Sequence, residues 1–132
     1  DLATVTICLD TNAYSDFKRG DAETVAALER AARIIVPSVV LGELYAGFHG
    51  GSRERRNFEE LDTFLGVPGV AVQDVTSAIA RQYGLLVNEL RTRGTPIPTN
   101  DIWIAATALH TGAELLTRDE HFDVVPLLTL YR

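Results

Sequence analysis

Apolar positions along this 132-residue chain change their spacing several times, and each change marks an element. Residues 5–9 (VTICL) form a continuous, β-branched apolar run, the pattern of a strand buried on both faces. Asp21 then precedes Val25, Leu28 and Ala32, which fall on one face of a helix that Asp21 can cap. Residues 34–36 read as a second strand, stopped by Pro37, and Ser38 as the cap of a helix carrying Val39, Val40, Glu43, Leu44 and Gly47. Residues 53–65 are helical and strongly charged, and residues 70–72 are a third strand after Pro68-Gly69. The clearest helix follows, capped by Asp74, with Val75, Ala78, Ile79, Tyr83, Leu86 and Leu90 at helical spacing and Gly94 as its stop. Thr99 or Asn100 caps another, which turns Ile102, Ala105, Ala106 and Leu109 inward. Residues 114–116 are a fourth strand, and residues 127–130 add a fifth at the sheet edge.

Strands that alternate with helices imply right-handed crossovers and an α/β fold. The expected architecture is three α/β/α layers around a central, mainly parallel sheet of four to five strands. No repeat, low-complexity tract or linker interrupts the pattern, so residues 1–132 are expected to form a single domain. Ligands of such open sheets gather at the carboxyl ends of the strands. Asp10 and Asp119 lie at or just past two such ends. Glu43 and Asp101 fall in what read as the first turns of helices that can point to the same edge.

Composition narrows the picture. The 46% apolar content suffices for one core. No run approaches the roughly 20 apolar residues of a membrane helix. No charged-then-apolar leader is seen, so neither a signal peptide nor a membrane association is expected. The single cysteine, Cys8, excludes an intramolecular disulfide and a Cys-based zinc site. Inside a strand it reads as a buried thiol, in keeping with a cytoplasmic setting. A net charge of −6 argues against a passive nucleic-acid-binding surface. It leaves room for an enzyme that acts on nucleic acid, because metal ions offset carboxylate charge locally.

Each of the acidic residues has a plain alternative. Asp10 can cap the turn after the first strand, and Asp101 gains from a helix dipole whatever its function. Asp119 can be a turn residue or a partner of Arg118. Glu43 sits among apolar and small residues, and a carboxylate buried there is costly unless paired or bound to metal. As a group they invite one explanation. Clustered carboxylates repel and raise one another's pKa values, and a hard divalent cation relieves this; all-oxygen ligands favour Mg²⁺, with Mn²⁺ as a substitute. Such an ion suits phosphodiester hydrolysis by an activated water. Thr11, Asn12, Asn100 and Thr117 can orient the carboxylates. Arg118 is a candidate phosphate contact. The basic stretch at residues 53–56 reads as a solvated helix start, and an RNA contact is the alternative. His110 and His121 read as structural or surface residues, and Trp103 as a packing residue. No GxGxxG motif, P-loop or serine-hydrolase elbow is present.

The segments around these residues carry a resemblance. LDTN at 9–12, VPSVVLGELYAG at 36–47, PIPTNDIWIAATAL at 96–109 and LLTRDEHF at 115–122 resemble, in order, the signatures of PIN-domain ribonucleases. Within that superfamily the chain is similar to the VapC toxins of toxin–antitoxin modules. The resemblance implies a PIN-domain fold and a metal-dependent endoribonuclease that hydrolyses RNA. It also implies a homodimer and a cognate VapB-type antitoxin that blocks the site, for which Arg118 is a possible contact. Asp10, Glu43, Asp101 and Asp119 match the family's catalytic and metal-binding acidic quartet, and Asn12 and Thr117 match supporting positions. Thr99 departs from the pattern, since relatives often carry a further acidic residue near there. An inert PIN-like binding module that works through protein partners is the alternative. A haloacid-dehalogenase-type phosphohydrolase is disfavoured, because Asn12 stands where that chemistry needs a second Asp.

Overall fold

Ile7, Cys8 and Leu9 are all fully buried, although successive side chains of a strand point to opposite faces. Both faces of the sheet are therefore covered, as the apolar run predicts. The structure is a computed structural model that describes residues 5–131. Residues 1–4 and 132, the ends of the expected 1–132 domain, lie outside the described residues.

The elements run β1 (Thr6–Leu9), α1 (Thr11–Lys18), α2 (Ala22–Arg30), β2 (Arg33–Pro37), α3 (Ser38–Phe48) and α4 (Glu54–Leu65). They continue through β3 (Val70–Gln73), α5 (Ser77–Thr92), α6 (Thr99–Thr111), β4 (Glu114–Leu116) and a 3₁₀ helix at Glu120–Val124. The four strands form one sheet in the order β3-β2-β1-β4, and every pairing is parallel. Cys8 is in register with Ile35 on one side and Leu115 on the other. The chain steps outward from β1 to β2 to β3, then returns across the sheet to place β4 on the far side of β1. The direction of winding thus reverses between β1 and β4, and that crevice is where an open parallel sheet accepts a ligand.

Several local features differ from the sequence reading. Helix α1 is not marked by the apolar pattern, because Thr, Asn, Ser and Asp are weak helix formers. Tertiary packing supports it instead. Tyr14 meets Phe64 edge-on with centroids 5.3 Å apart, and Phe17 lies 5.4 Å from the same ring. Helix α5 starts at Ser77, capped by Thr76, whose hydroxyl accepts the Ile79 N–H at 3.2 Å; Asp74 and Val75 precede it. Pro37 and Pro98, not Ser38 or Thr99, occupy the N-cap positions of α3 and α6, and neither cap makes a side-chain hydrogen bond. A proline there loses nothing, since its missing N–H would have no helical partner. The fifth strand reduces to a single parallel bridge between Leu115 and Leu130. Leu127, with φ of 65°, breaks the extended run just before it. Among the described residues no helix is long and apolar enough to cross a membrane.

Candidate functional site

Asp10 is the hinge between β1 and the site. It is the N-cap of α1, and its Oδ1 accepts the Ala13 N–H at 2.7 Å. Its other oxygen accepts the Thr117 hydroxyl from the segment after β4. With both oxygens engaged and 5% of the residue exposed, Asp10 is held between the first and last strands at the winding reversal. Burial pushes its carboxyl up from the ordinary range, Asp119 and Asp101 add to the push, and the Thr117 and Ala13 hydrogen bonds oppose it.

Glu43 comes from the second turn of α3, not the first, since that first turn holds no acid. Its Oε1 accepts the Thr11 hydroxyl at 2.6 Å and its Oε2 the Asn100 amide at 3.3 Å. Asp101 lies in the first turn of α6, where the helix dipole favours its charge. Burial nevertheless pushes its carboxyl up, with Asp119 and Glu43 adding and the His121 hydrogen bond opposing. Asp119 is the N-cap of the 3₁₀ helix. Its N–H donates to Thr117 Oγ1 at 3.0 Å, and its Oδ1 accepts the His121 N–H at 2.9 Å. Thr117 thus donates to one acid while accepting from the backbone of the other.

The four acids line one cleft of about 490 Å³ together with Thr11, Asn12, Thr99, Asn100 and His121. No arginine or lysine of the described residues lines it. Excess negative charge in a partly desolvated crevice, presented as carboxylate oxygens, fits a hard divalent cation. The fold brings Asp10, Asn12, Glu43, Asp101 and Asp119 together along this cleft, and Thr117, outside its lining, reaches Asp10 through its hydroxyl.

Arg118 goes elsewhere. Its guanidinium donates to Asp21 at 2.6 and 3.3 Å and lies 3.5 Å from Asp16, beside a separate cleft. Asp21 and Asp16 thus hold the guanidinium that the sequence offers as a phosphate or antitoxin contact. The basic stretch at 53–56 also lies apart, in keeping with a solvated helix start: Arg55 and Arg56 pair with Glu59 and Glu60 along α4 at 3.2 and 3.6 Å. Trp103 stacks on Tyr83 with centroids 3.7 Å apart, so packing occupies it. His121, which the sequence reads as a structural or surface residue, lines the cleft. Its Nδ1 lies 3.0 Å from Asp101 Oδ2 and 3.2 Å from Asp119 Oδ1. The available signal was its spacing: two residues beyond an Asp that caps a turn, it returns to that same Asp.

Comparison with known proteins gives the geometry a context. The model of the PIN domain matches residues 7–128. Ribonuclease VapC4 of Mycobacterium tuberculosis is 33% identical over 91 residues, covering 69% of this chain and 70% of that relative. Ribonuclease VapC2 of Rickettsia felis is 32% identical over 127 residues, 92% of this chain and 93% of the relative. The crystal structure of VapBC2 from Rickettsia felis bound to a promoter DNA fragment aligns with a TM-score of 0.84 at 28% identity, covering 96% of this chain and 98% of that one. The DNA-bound VapBC of Salmonella typhimurium aligns with a TM-score of 0.85 at 24% identity, covering 97% and 98%, a likeness of fold.

Proposed function

The chain belongs to the PIN-domain family, and from that premise we propose that it is a metal-dependent endoribonuclease, the toxin of a VapBC-type toxin–antitoxin pair. The observation that carries this reading is the meeting of Asp10, Glu43, Asp101 and Asp119 in one cleft at the winding reversal of the sheet. Relatives named as VapC ribonucleases align over most of the chain and support it.

In this reading Asp10, Asp101 and Asp119, with Glu43, hold Mg²⁺ or Mn²⁺. When bound, the ion lowers the pKa of a water and offsets the charge of an RNA phosphate. The protein's own part is placement. Thr117 and the Ala13 N–H fix both oxygens of Asp10, so its carboxylate cannot rotate away from the cleft. Thr11 and Asn100 do the same for Glu43. Asn12, on the first turn of α1, lines the cleft where an incoming phosphate would pass. The reading extends to residues 1–132 as a single PIN domain, acting in the cytoplasm as a homodimer and silenced by a VapB-type antitoxin. Solved VapBC complexes of similar fold support that partner.

The test is cleavage of RNA by the purified protein with and without EDTA, beside Asp101→Asn. Cleavage that needs free divalent ions and is lost in the variant is the expected result. Equal cleavage by all three samples would overturn the proposal.

A further inference from the structure

Among the described residues, His121 is the one imidazole that lines the acidic cleft. One atom each from Asp101, Asp119 and His121 lie within 4.8 Å of one another, the spacing of ligands around a single small cation. The aim of the imidazole is built into the chain. Thr117 Oγ1 takes the Asp119 N–H, Asp119 Oδ1 takes the His121 N–H, and Phe122, 1% exposed, pins the turn into the core. The His121 side chain itself is 52% exposed, so packing does not hold it against the carboxylates. The remaining histidines differ: His49 pairs with Glu54 at 2.8 Å, and His110 is exposed at the last turn of α6.

We propose that His121 is a nitrogen ligand of a divalent ion held with Asp101 and Asp119, and that it tilts the site away from Mg²⁺ toward Mn²⁺ and related first-row ions. The inference rests on the metal-dependent nuclease reading and adds which ion the site prefers. Mg²⁺ favours oxygen donors in a rigid octahedron, whereas imidazole binds increasingly well along the first transition row. To bind an ion, the ring would carry its proton on Nε2 and give up the Nδ1 hydrogen bond to Asp101, which frees the Nδ1 lone pair for the metal. Two carboxylates and a neutral ring then balance a doubly charged ion.

The experiment is calorimetric titration of the full chain with Mg²⁺ and with Mn²⁺, for wild type and His121→Ala. It is paired with pulsed electron paramagnetic resonance of Mn²⁺-loaded protein carrying ¹⁵N-histidine. The expected results are a ¹⁵N coupling in the wild type that vanishes in His121→Ala, and a loss of Mn²⁺ affinity of roughly tenfold or more. Mg²⁺ affinity should change less than about twofold, because oxygen ligands and water suffice for that ion. Circular dichroism melts establish that the variant is folded. Mn²⁺ bound without nitrogen coupling, or an equal effect on both ions, overturns this inference and leaves the nuclease reading standing. Failure of either ion to bind the wild type sinks both.

Discussion

Two acidic clusters flank the short helix α1, and they treat charge in opposite ways. On one side, Asp10 and Asp101 are pushed above the ordinary carboxylate range by burial and by neighbouring acids. On the other, Asp21 is pulled down to about 2, first by its hydrogen bond with Arg118 and then by those from Thr24. The second cluster is an ordinary surface arrangement: an N-cap, an arginine and a short network with Asp16. The first has no arginine or lysine of the described residues lining its cleft. Adjacent residues divide between them, since Arg118 turns to Asp21 while Asp119 turns to the cleft. A carboxylate whose charge is already matched by the protein serves the fold, and one left unmatched in a crevice is available to a ligand.

That contrast can be broken most directly by neutralising the cleft. Asp101→Asn should lower RNA cleavage by roughly 100-fold, measured as initial rate at saturating Mn²⁺, while Asp21→Asn should leave the rate near wild type. Similar losses for the two would erase the distinction.

Thr117→Val probes the joint between strands. It removes a hydroxyl that donates to Asp10 and accepts from the Asp119 backbone, and it should cost about 1–3 kcal/mol in chemical denaturation. Thr117→Ser should restore most of that loss. Equal stability of Val and Ser variants would show that the hydroxyl does not hold the site.

The pH response should differ in sign between the clusters. A carboxyl raised on folding stabilises below its unfolded pKa of about 3.9, and that contribution is lost as pH rises through the raised folded value. For Asp10 and Asp101 the metal-free melting temperature should therefore decline from about pH 4 upward, and saturating Mn²⁺ should abolish the decline. Asp21, depressed to about 2, contributes stability that is present above pH about 3.9 and lost as pH falls toward its folded value. Melts across pH for wild type, Asp101→Asn and Asp21→Asn separate the two. A metal-free profile unchanged by Asp101→Asn would remove the cleft from the account.

The smallest effect is expected for Arg118→Ala. Its partners are surface carboxylates, so the melting temperature should move by no more than about 2 °C and cleavage should be unaffected. A large loss of cleavage would place Arg118 in substrate contact despite its pairing with Asp21.

Much of this arrangement is legible in the residues alone. The β-branched runs at 5–9 and 34–36 mark the central strands, because a strand covered on both faces has no polar alternation to hide it. Asp10 and Asp119 stand out by ending such runs. Harder to read are the features decided by contacts distant in sequence. Helix α1 depends on Phe64 from α4, and the caps of α3 and α6 follow from backbone geometry at Pro37 and Pro98. The direction of Arg118 was within reach: in an extended segment adjacent side chains point to opposite sides, so an Asp119 in the cleft implies an Arg118 outside it. The contact of His121 with Asp101 is not legible in the sequence, because the two lie 20 residues apart on different elements.

The bond from Thr117 to Asp10 spans 107 positions, and this has a consequence for synthesis. A chain emerging from the ribosome displays Asp10 and Glu43 early, in segments that form β1–β3 and their helices. The crevice itself forms only when β4, the last strand to emerge, docks against the first. Pairings so distant in sequence are slow to close, and domains tend to fold as units. A partly translated chain thus carries Asp10 and Glu43 without the convergence on Asp119 that the completed sheet brings.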